Sequence, residues 1–215
     1  MSIKNKRYII SLGGSLIVPH EVDVNFLRQL KKLLSDEGKR GKFFVIAPGG
    51  GRTARKYANA ARALGDLDRN NLDWLGIYSI RLNSLLLASI FKKIKKVKVM
   101  DMIEARPGRS SDYDAVIFAK RYKADYIVNL TNIDYVYDKN PKKHKDAKPL
   151  KIISWQDFRK IIGNKWDPGL NLPFDPVASK LAEKLKLQVV LMNGKSLTNL
   201  KSFLSGKPYK GTVIG

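Results

Sequence analysis

Two glycine-rich turns are the first features of this sequence that could do chemistry. Gly13-Gly14-Ser15 follows the apolar run 7–12, and Gly49-Gly50-Gly51 follows the run 42–47. Backbone N–H groups in a turn that feeds a helix bind phosphate, and glycine lets the phosphate approach the backbone. Neither turn has the Gly-Lys-Ser/Thr ending of a P-loop or the G-x-G-x-x-G spacing of a dinucleotide site. One such turn is about as often purely structural, but a pair on neighbouring strands indicates two phosphate groups.

Charged side chains near these turns extend the same chemistry. Arg55 lies one helical turn beyond Gly51, where its guanidinium could bind the same phosphate. A solvated arginine is the common alternative on a basic protein. Asp73, Asp112 and Asp175 stand at or near the starts of predicted helices. Helix capping explains these three carboxylates about as well as ligand binding does.

A polar cluster follows the predicted strand 125–130. Its members are Thr131, Asn132, Asp134, Asp138 and Asn140. The carboxyl ends of strands are the usual place for ligand groups in open α/β sheets. We therefore expect this cluster to contribute to a binding site.

The composition limits the classes of protein that need to be considered. Forty-one Lys and Arg residues against nineteen Asp and Glu leave a formal charge of +22, which indicates an anionic partner: nucleic acid, a lipid surface or a phosphorylated metabolite. The chain has no cysteine and two histidines, so thiol catalysis and cysteine-ligated metals are excluded and no protein metal site is predicted. A cytoplasmic location fits this composition. No apolar run approaches the ~20 residues of a membrane span, so we expect no membrane association.

The elements that must position these residues alternate between strand and helix. Strands are predicted at 7–12, 42–47, 97–102, 125–130 and 187–192, with an edge strand at 211–214, and helices at 24–34, 53–64, 72–93, 112–122, 175–185 and 196–204. Asp175-Pro176 is a helix-start signal. The segment 134–154 is interpreted as a hairpin. The pattern predicts an α/β fold, a mainly parallel central sheet sandwiched by helices, in one domain over 1–215.

Several motifs, in order along nearly the whole chain, resemble one known family. The sequence is similar to the uridylate (UMP) kinases of the amino acid kinase superfamily, and most to their short, archaeal-type members. The matching segments are 10–19, 49–55, 73–76, 81–83, 107–112, 129–141, 174–178 and 211–212.

This resemblance implies phosphorylation of UMP by ATP, with Mg²⁺ carried on the nucleotide. It implies an acceptor lobe at about 1–120 and an ATP lobe at about 121–215. Residues implied for ATP are Gly13, Gly14, Ser15, Gly51, Arg55, Thr131, Tyr137 and Asn140. Those implied for UMP are Gly50, Asp73, Pro107, Gly108, Arg109, Ser110 and Ser111, and the implied catalytic residues are Arg55, Gly14 and Asp112. Family members assemble as dimers or hexamers, so a homo-oligomer is expected.

Two alternatives remain open at this point. Ile103-Glu104 replaces a Gly-Gly pair of the family. If Glu104 faces the pocket, this favours a relative that acts on another small phosphate or carboxylate acceptor. If it faces solvent, Glu104 forms an ordinary surface ion pair with a nearby lysine. The run of lysines at 92–98 favours a basic nucleic-acid-binding protein on the same scaffold. That reading is disfavoured, because the run has no interleaved aromatic residues and lysines at a helix end are commonly just solvated.

Overall fold

A seven-stranded sheet forms the centre of the protein. The computed structural model describes residues 5–65, 68–141, 143–163 and 172–215. In these ranges the sheet order is β3-β2-β1-β4-β8-β9-β7, and β5 pairs with β6 in a separate two-stranded sheet. The strands are β1 (Arg7–Leu12), β2 (Phe43–Pro48), β3 (Val97–Val99), β4 (Tyr126–Thr131), β5 (Val136–Tyr137), β6 (Pro149–Leu150), β7 (Ile152–Ile153), β8 (Val189–Asn193) and β9 (Thr212–Ile214).

Helices cover both faces of this sheet. They are α1 (Gly14–Ile17), α2 (Val24–Lys39), α3 (Gly51–Leu64), α4 (Arg69–Phe91), α5 (Ser111–Tyr122), α6 (Trp155–Ile162), α7 (Pro176–Lys184) and α8 (Leu197–Leu204). Strands β3, β2, β1, β4 and β8 pair in parallel, in that order, and β9 runs antiparallel to β8. The predicted fold class, a mainly parallel sheet between helices, is confirmed.

Alternate residues of the strands pack on opposite faces, and both faces are apolar. Ile9 of β1 belongs to a buried cluster with α5, α6 and α7, whereas Ile10 belongs to a second cluster with α2 and α8. The inner strands are therefore continuous hydrophobic runs, as expected for a parallel sheet covered on both sides.

Side-chain caps fix where several helices begin. Asp23 accepts the backbone N–H of Phe26 at 2.9 Å, and Ser110 accepts that of Tyr113 at 3.1 Å. Asp175 accepts the N–H of Ala178 at 2.7 Å, with Pro176 as the first residue of α7. The prediction of a helix start at Asp175-Pro176 is thus confirmed. The N-cap residue of α5 is Ser110, and not Asp112.

One sequence expectation about elements is wrong, and one helix was not predicted. The segment 211–214 does not form an edge strand, because β9 lies between β8 and β7 and the latter is at the edge. Helix α6 was not expected, since Trp155 to Ile162 is short and directly follows β7; Ser154 caps it by accepting the N–H of Asp157. The predicted hairpin at 134–154 is confirmed by the antiparallel pairing of β5 with β6.

Helix α4 is long and apolar enough to cross a membrane by length and composition alone, so the expectation that no segment approaches a span fails on this measure. An 18-residue window has a mean hydropathy of 1.3 and is 33% buried. However, its polar side chains bind the rest of the domain: Asn83 donates to the carbonyl of Gly49 at 2.8 Å, and Ser84 donates to that of Met100. We therefore assign α4 to the sandwich.

Candidate active site

The two glycine turns lie against each other at the carboxyl ends of β1 and β2. The strands pair in parallel, and Gly49 N–H donates to the carbonyl of Leu12 at 2.9 Å. A Cβ on Gly14 would lie 2.3 Å from the carbonyl oxygen of Gly49, and one on Gly51 would lie 2.2 Å from the carbonyl carbon of Gly14. Gly51 also has φ of +60°. The close approach of two backbones therefore requires glycine at both positions, and the prediction of one shared edge is confirmed.

The carboxyl ends of β1 and its neighbours are also where the strand order reverses. Chain order runs outward from β1 through β2 to β3 on one side and through β4 to β8 on the other. Gly13 N–H donates to Leu130 O at 3.0 Å, and Gly194 N–H donates to Thr131 O at 2.8 Å. Ligands of open α/β sheets bind in the crevice at such a switch point, so Thr131 and both glycine turns lie where a ligand is expected.

A cavity of about 240 Å³ lies between α3 and α4 beside the second glycine turn. Its lining includes most of the residues assigned to the acceptor and two assigned to ATP: Gly50, Asp73, Arg109, Ser110 and Ser111, together with Gly51 and Arg55. Gly108 does not line the cavity, but its N–H donates to Oδ2 of Asp73, which does, at 2.7 Å. Asp73 lies in the second turn of α4 and is not its cap, which is Asp68.

Three arginines face this cavity. Arg55 and Arg62 lie two helical turns apart on α3, and the guanidinium carbon of Arg109 lies 5.1 Å from the centre of the Tyr113 ring. Three arginines against one acidic residue in the lining, Asp73, favour an anionic ligand. Sequence reasoning missed Arg62, although its spacing of seven residues from Arg55 places both on one face of α3.

The carboxyl of Asp112 joins three elements next to the glycine turns. It accepts the hydroxyl of Ser11 on β1 at 3.3 Å and the N–H of Asp175, the cap of α7, at 3.1 Å. Burial, and after it the nearby carboxylate of Asp175, raise the pKa of Asp112 from 3.8 to about 7, against the two hydrogen bonds, which lower it. Asp112 can therefore hold or release a proton near neutral pH.

Asp112 makes the stability of the fold depend on pH. Its pKa is higher in the folded state than the unfolded value of 3.8, so the folded state holds a proton that the unfolded state releases. We therefore expect the free energy of unfolding to fall as pH rises from about 4 to about 7. Asp112→Asn, which stays neutral, should flatten this slope in urea unfolding measured across that range.

Asp114→Asn is the matched control for this measurement. Burial raises the pKa of Asp114 to about 6, against the opposing effect of Arg109, so it contributes a slope of the same sign. The Asp114 variant should keep the share of the slope that belongs to Asp112. A slope identical in wild type and Asp112→Asn would contradict the assignment.

Arg81 and Asn83 of α4 position the backbone around the cavity. Arg81 donates from Nε to Met102 O at 3.3 Å and from Nη2 to Ile103 O at 3.0 Å. Asn83 holds the carbonyl of Gly49 in the second glycine turn. These contacts explain why the Arg81-Leu82-Asn83 motif accompanies the glycine turns, a role that could not be read from the residue types.

Glu104 does not line the cavity. Its carboxylate pairs with Arg121 at 2.7 Å, and its side chain is 67% exposed. The structure thus supports the surface ion pair, and the hypothesis of a carboxylate pointing into the acceptor site is wrong. Exposed pairs of this kind contribute little to stability.

The remaining residues assigned to ATP, Tyr137 and Asn140, lie in β5 and just after it, and they do not line the cavity. Tyr137 is on β5, whose Val136 N–H donates to Thr212 Oγ1 at 2.8 Å. Asn140 is exposed in the following turn, and its carbonyl accepts the N–H groups of Lys143 and His144 at 3.0 Å. Sequence reasoning missed Asn193, at the end of β8, which donates to Asp134 Oδ1 at 2.9 Å.

Comparison with known proteins defines the class first. Residues 102–193 match the model of the amino acid kinase family. The fold agrees with solved UMP kinases, including that of Bacillus anthracis, which has a TM-score of 0.82 at 18% identity and covers 99% of this chain and 96% of its own. The protein therefore has the amino acid kinase fold.

Full-length relatives then define the family. The uridylate kinase of Thermoplasma volcanium is 33% identical over 98% of both chains, and that of Sulfurisphaera tokodaii is 32% identical over 97% of this chain and 98% of its own. The uridylate kinase structure of Archaeoglobus fulgidus has a TM-score of 0.78 at 29% identity, covering 97% of this chain and 99% of its own. The chain belongs to the uridylate kinase family.

Proposed function

We propose that this protein is an ATP-dependent UMP kinase. A phosphate oxygen of UMP attacks the γ-phosphorus of ATP, the new O–P bond forms as the bond to the β,γ-bridging oxygen breaks, and UDP and ADP leave. The observation that carries the proposal is the arginine-lined cavity of about 240 Å³, which opens beside two interlocked glycine turns. An acceptor phosphate and a donor phosphate chain can meet there.

Positioning and charge neutralisation account for the catalysis. The N–H groups of Gly14 and Ser15 would hold the ATP phosphates, while Gly13, whose N–H is bonded to Leu130 O, would shape the turn for them. Gly51 begins the 14-residue helix α3, whose positive N-terminal end lies beside the same turn. Arg55 would neutralise charge on the transferred phosphoryl group. The UMP phosphate is already anionic near neutral pH, so the reaction needs no strong general base.

Asp112 is assigned to positioning in this mechanism. Its carboxyl touches Ser11 and the backbone of Asp175, and through them it ties β1 to α7 beside the phosphate-binding turns. Asp112 lies in the first turn of α5, directly after Ser110 and Ser111, which line the cavity. A shift of Asp112 would therefore displace the preceding loop 107–111, which is proposed to hold UMP.

Mg²⁺ is proposed to arrive on ATP. Among the residues that the structure describes, no three His, Cys, Asp or Glu side chains come together as a metal site. When bound, the ion would neutralise phosphate charge.

Thr131, Tyr137 and Asn140 are proposed to hold ATP in a lobe of about 121–215, and residues of about 1–120 to hold UMP. We also infer a cytoplasmic location.

Asp73→Asn tests the acceptor half of the proposal. If Asp73 accepts a ribose hydroxyl of UMP, loss of its charge removes a hydrogen bond worth about 1.5–3 kcal/mol, so the KM for UMP should rise about 10- to 100-fold. The KM for ATP should change little. Asp73 also accepts Gly108 N–H, and asparagine keeps an oxygen for that bond. Equal losses for both nucleotides would instead assign Asp73 to structure.

We propose that α4 also carries the contact of a homo-oligomer. Tyr78, Leu82 and Leu85 lie along one side of the helix and are 62%, 61% and 67% exposed. An exposed apolar stripe of this kind is typical of a protein interface.

Leu82→Glu should dissociate such an oligomer. Light scattering should give a smaller mass for this variant than for wild type, with the free energy of unfolding of the monomer nearly unchanged because the residue is exposed. Lys56→Glu, an exposed change of α3 outside the stripe, is the control. A wild-type protein that is monomeric at high concentration would contradict the proposed interface.

A further inference from the structure

A second cavity, of about 300 Å³, opens at the opposite ends of the sheet strands from the glycine turns. It lies at the amino-terminal ends of β1, β4 and β8, and four aromatic side chains line it: Tyr8, Tyr126, Phe203 and Tyr209. Tyr8 precedes Leu12 by four residues on β1, so the cavity lies about 13 Å along the strand from the first glycine turn. A ligand here would leave the proposed catalytic site free.

The aromatic rings form angled walls. The Tyr126 and Phe203 ring centroids are 5.7 Å apart at 87°, and those of Phe203 and Tyr209 are 5.0 Å apart at 72°. Tyr126, Phe203 and Tyr209 are only partly buried, so part of each ring surface is open to the cavity. Partly open rings of this kind are the surfaces on which nucleobases stack.

Positive charge surrounds the opening. Lys6 Nζ lies 4.7 Å from the centre of the Tyr126 ring and 3.4 Å from its hydroxyl, and Lys207 lines the cavity from an exposed position. Asp125, an acid at the same edge, already accepts the N–H of Arg7 at 2.7 Å. Together with the formal charge of +22, the lysines favour an anionic ligand.

The neutral hydroxyl of Tyr8 adds a polar contact in the wall. Burial raises the pKa of this phenol, as do nearby Tyr126, Asp125 and Glu37, so Tyr8 stays protonated. Gln188, at the start of β8, contributes an amide to the same lining. The cavity thus combines stacking surfaces, hydrogen-bonding groups and cations.

We propose that this cavity binds a nucleobase that carries phosphate, with the base among Tyr126, Phe203 and Tyr209 and the phosphate on Lys6 and Lys207. The lysine run at 92–98 has no interleaved aromatic residues, but the fold brings aromatic and basic side chains together from separate segments. A free nucleotide and a single-stranded nucleic acid share this chemistry. The surplus of positive charge fits the longer polyanion.

Binding is tested on the full chain with no UMP or ADP added, because either nucleotide has the chemistry proposed for this cavity and would compete with the probes. Fluorescence anisotropy follows a labelled uridine decamer, and calorimetry follows AMP. We compare wild type with Tyr209→Ala, with the double variant Lys6→Glu and Lys207→Glu, and with Lys180→Glu as a control. Lys180 is exposed on α7 and does not line the cavity.

Loss of the stacking ring or of the two lysines should each weaken binding about tenfold or more, while Lys180→Glu should leave it nearly unchanged. Binding of the decamer alone supports a single-stranded ligand, and binding of AMP supports a free nucleotide. Retained UMP kinase activity shows that the variants fold, and Lys207→Glu alone, an exposed change, serves if Tyr209→Ala does not. The proposal is overturned if neither probe binds, if the cavity variants bind the probes as tightly as wild type does, or if Lys180→Glu weakens binding as much as the cavity variants do.

Discussion

Arg55→Ala is expected to lower kcat for UMP phosphorylation by about 100-fold or more while the free energy of unfolding changes little. The side chain is exposed at the cavity and lies one turn past Gly51, so its removal leaves no hole in the core. Removing one group that stabilises charge in a transition state typically costs 10²–10³ in kcat. The loss should appear in kcat more than in KM, because the contact is made chiefly in the transition state.

Lys56→Ala is the matched control for this change. Lys56 is the next residue on α3, is also exposed and carries the same charge, but it does not line the cavity. Its removal should leave kcat within about twofold of wild type, because salt screens the effect of an exposed cation that does not touch the substrate. A folded Arg55→Ala protein with unchanged kcat would remove Arg55 from the mechanism.

Gly14→Ala is expected to damage both stability and activity. The added Cβ would lie 2.3 Å from Gly49 O and 2.5 Å from Gly51 N. These are backbone atoms, so relief requires the two phosphate-binding turns to separate. We expect a loss of about 3 kcal/mol in the free energy of unfolding, at the upper end for overpacked sites, and a loss of kcat in any protein that remains folded.

Gly65→Ala separates this effect from a general cost of replacing glycine. A Cβ at Gly65 would meet no heavy atom within 4 Å. Chemical unfolding of both variants, followed by assay of the folded protein, makes the comparison. If Gly14→Ala were as stable and active as Gly65→Ala, the interlocked turns would not be a requirement of the site.

Local signals in the sequence predicted much of the scaffold. The glycine turns, the cap at Asp175-Pro176 and the hairpin all depend on residues close together in the chain, and the structure has them where they were expected. The same locality explains why Asp73 and Asp112 were ambiguous, because a carboxylate near a helix start has the same signature whether it caps or binds.

Features that depend on distant pairings could not be predicted in this way. The place of β9 inside the sheet depends on its pairing with β7, where Ile152 lies opposite Val213 from 61 residues later in the chain. The ion pair of Glu104 with Arg121 depends on how the acceptor loop packs on α5. The raised pKa of Asp112 depends first on its burial in the folded protein and then on the nearby carboxylate of Asp175, from a separate segment. None of these has a local pattern.

A coupled assay of ADP release tests the central claim most directly, with ATP, Mg²⁺ and each of the four ribonucleoside monophosphates at equal concentration. The proposed function predicts that UMP is phosphorylated with the highest kcat/KM of the four, and that Arg55→Ala loses this activity while Lys56→Ala keeps it. Phosphorylation of none of the four, or a higher kcat/KM for another monophosphate than for UMP, would contradict it.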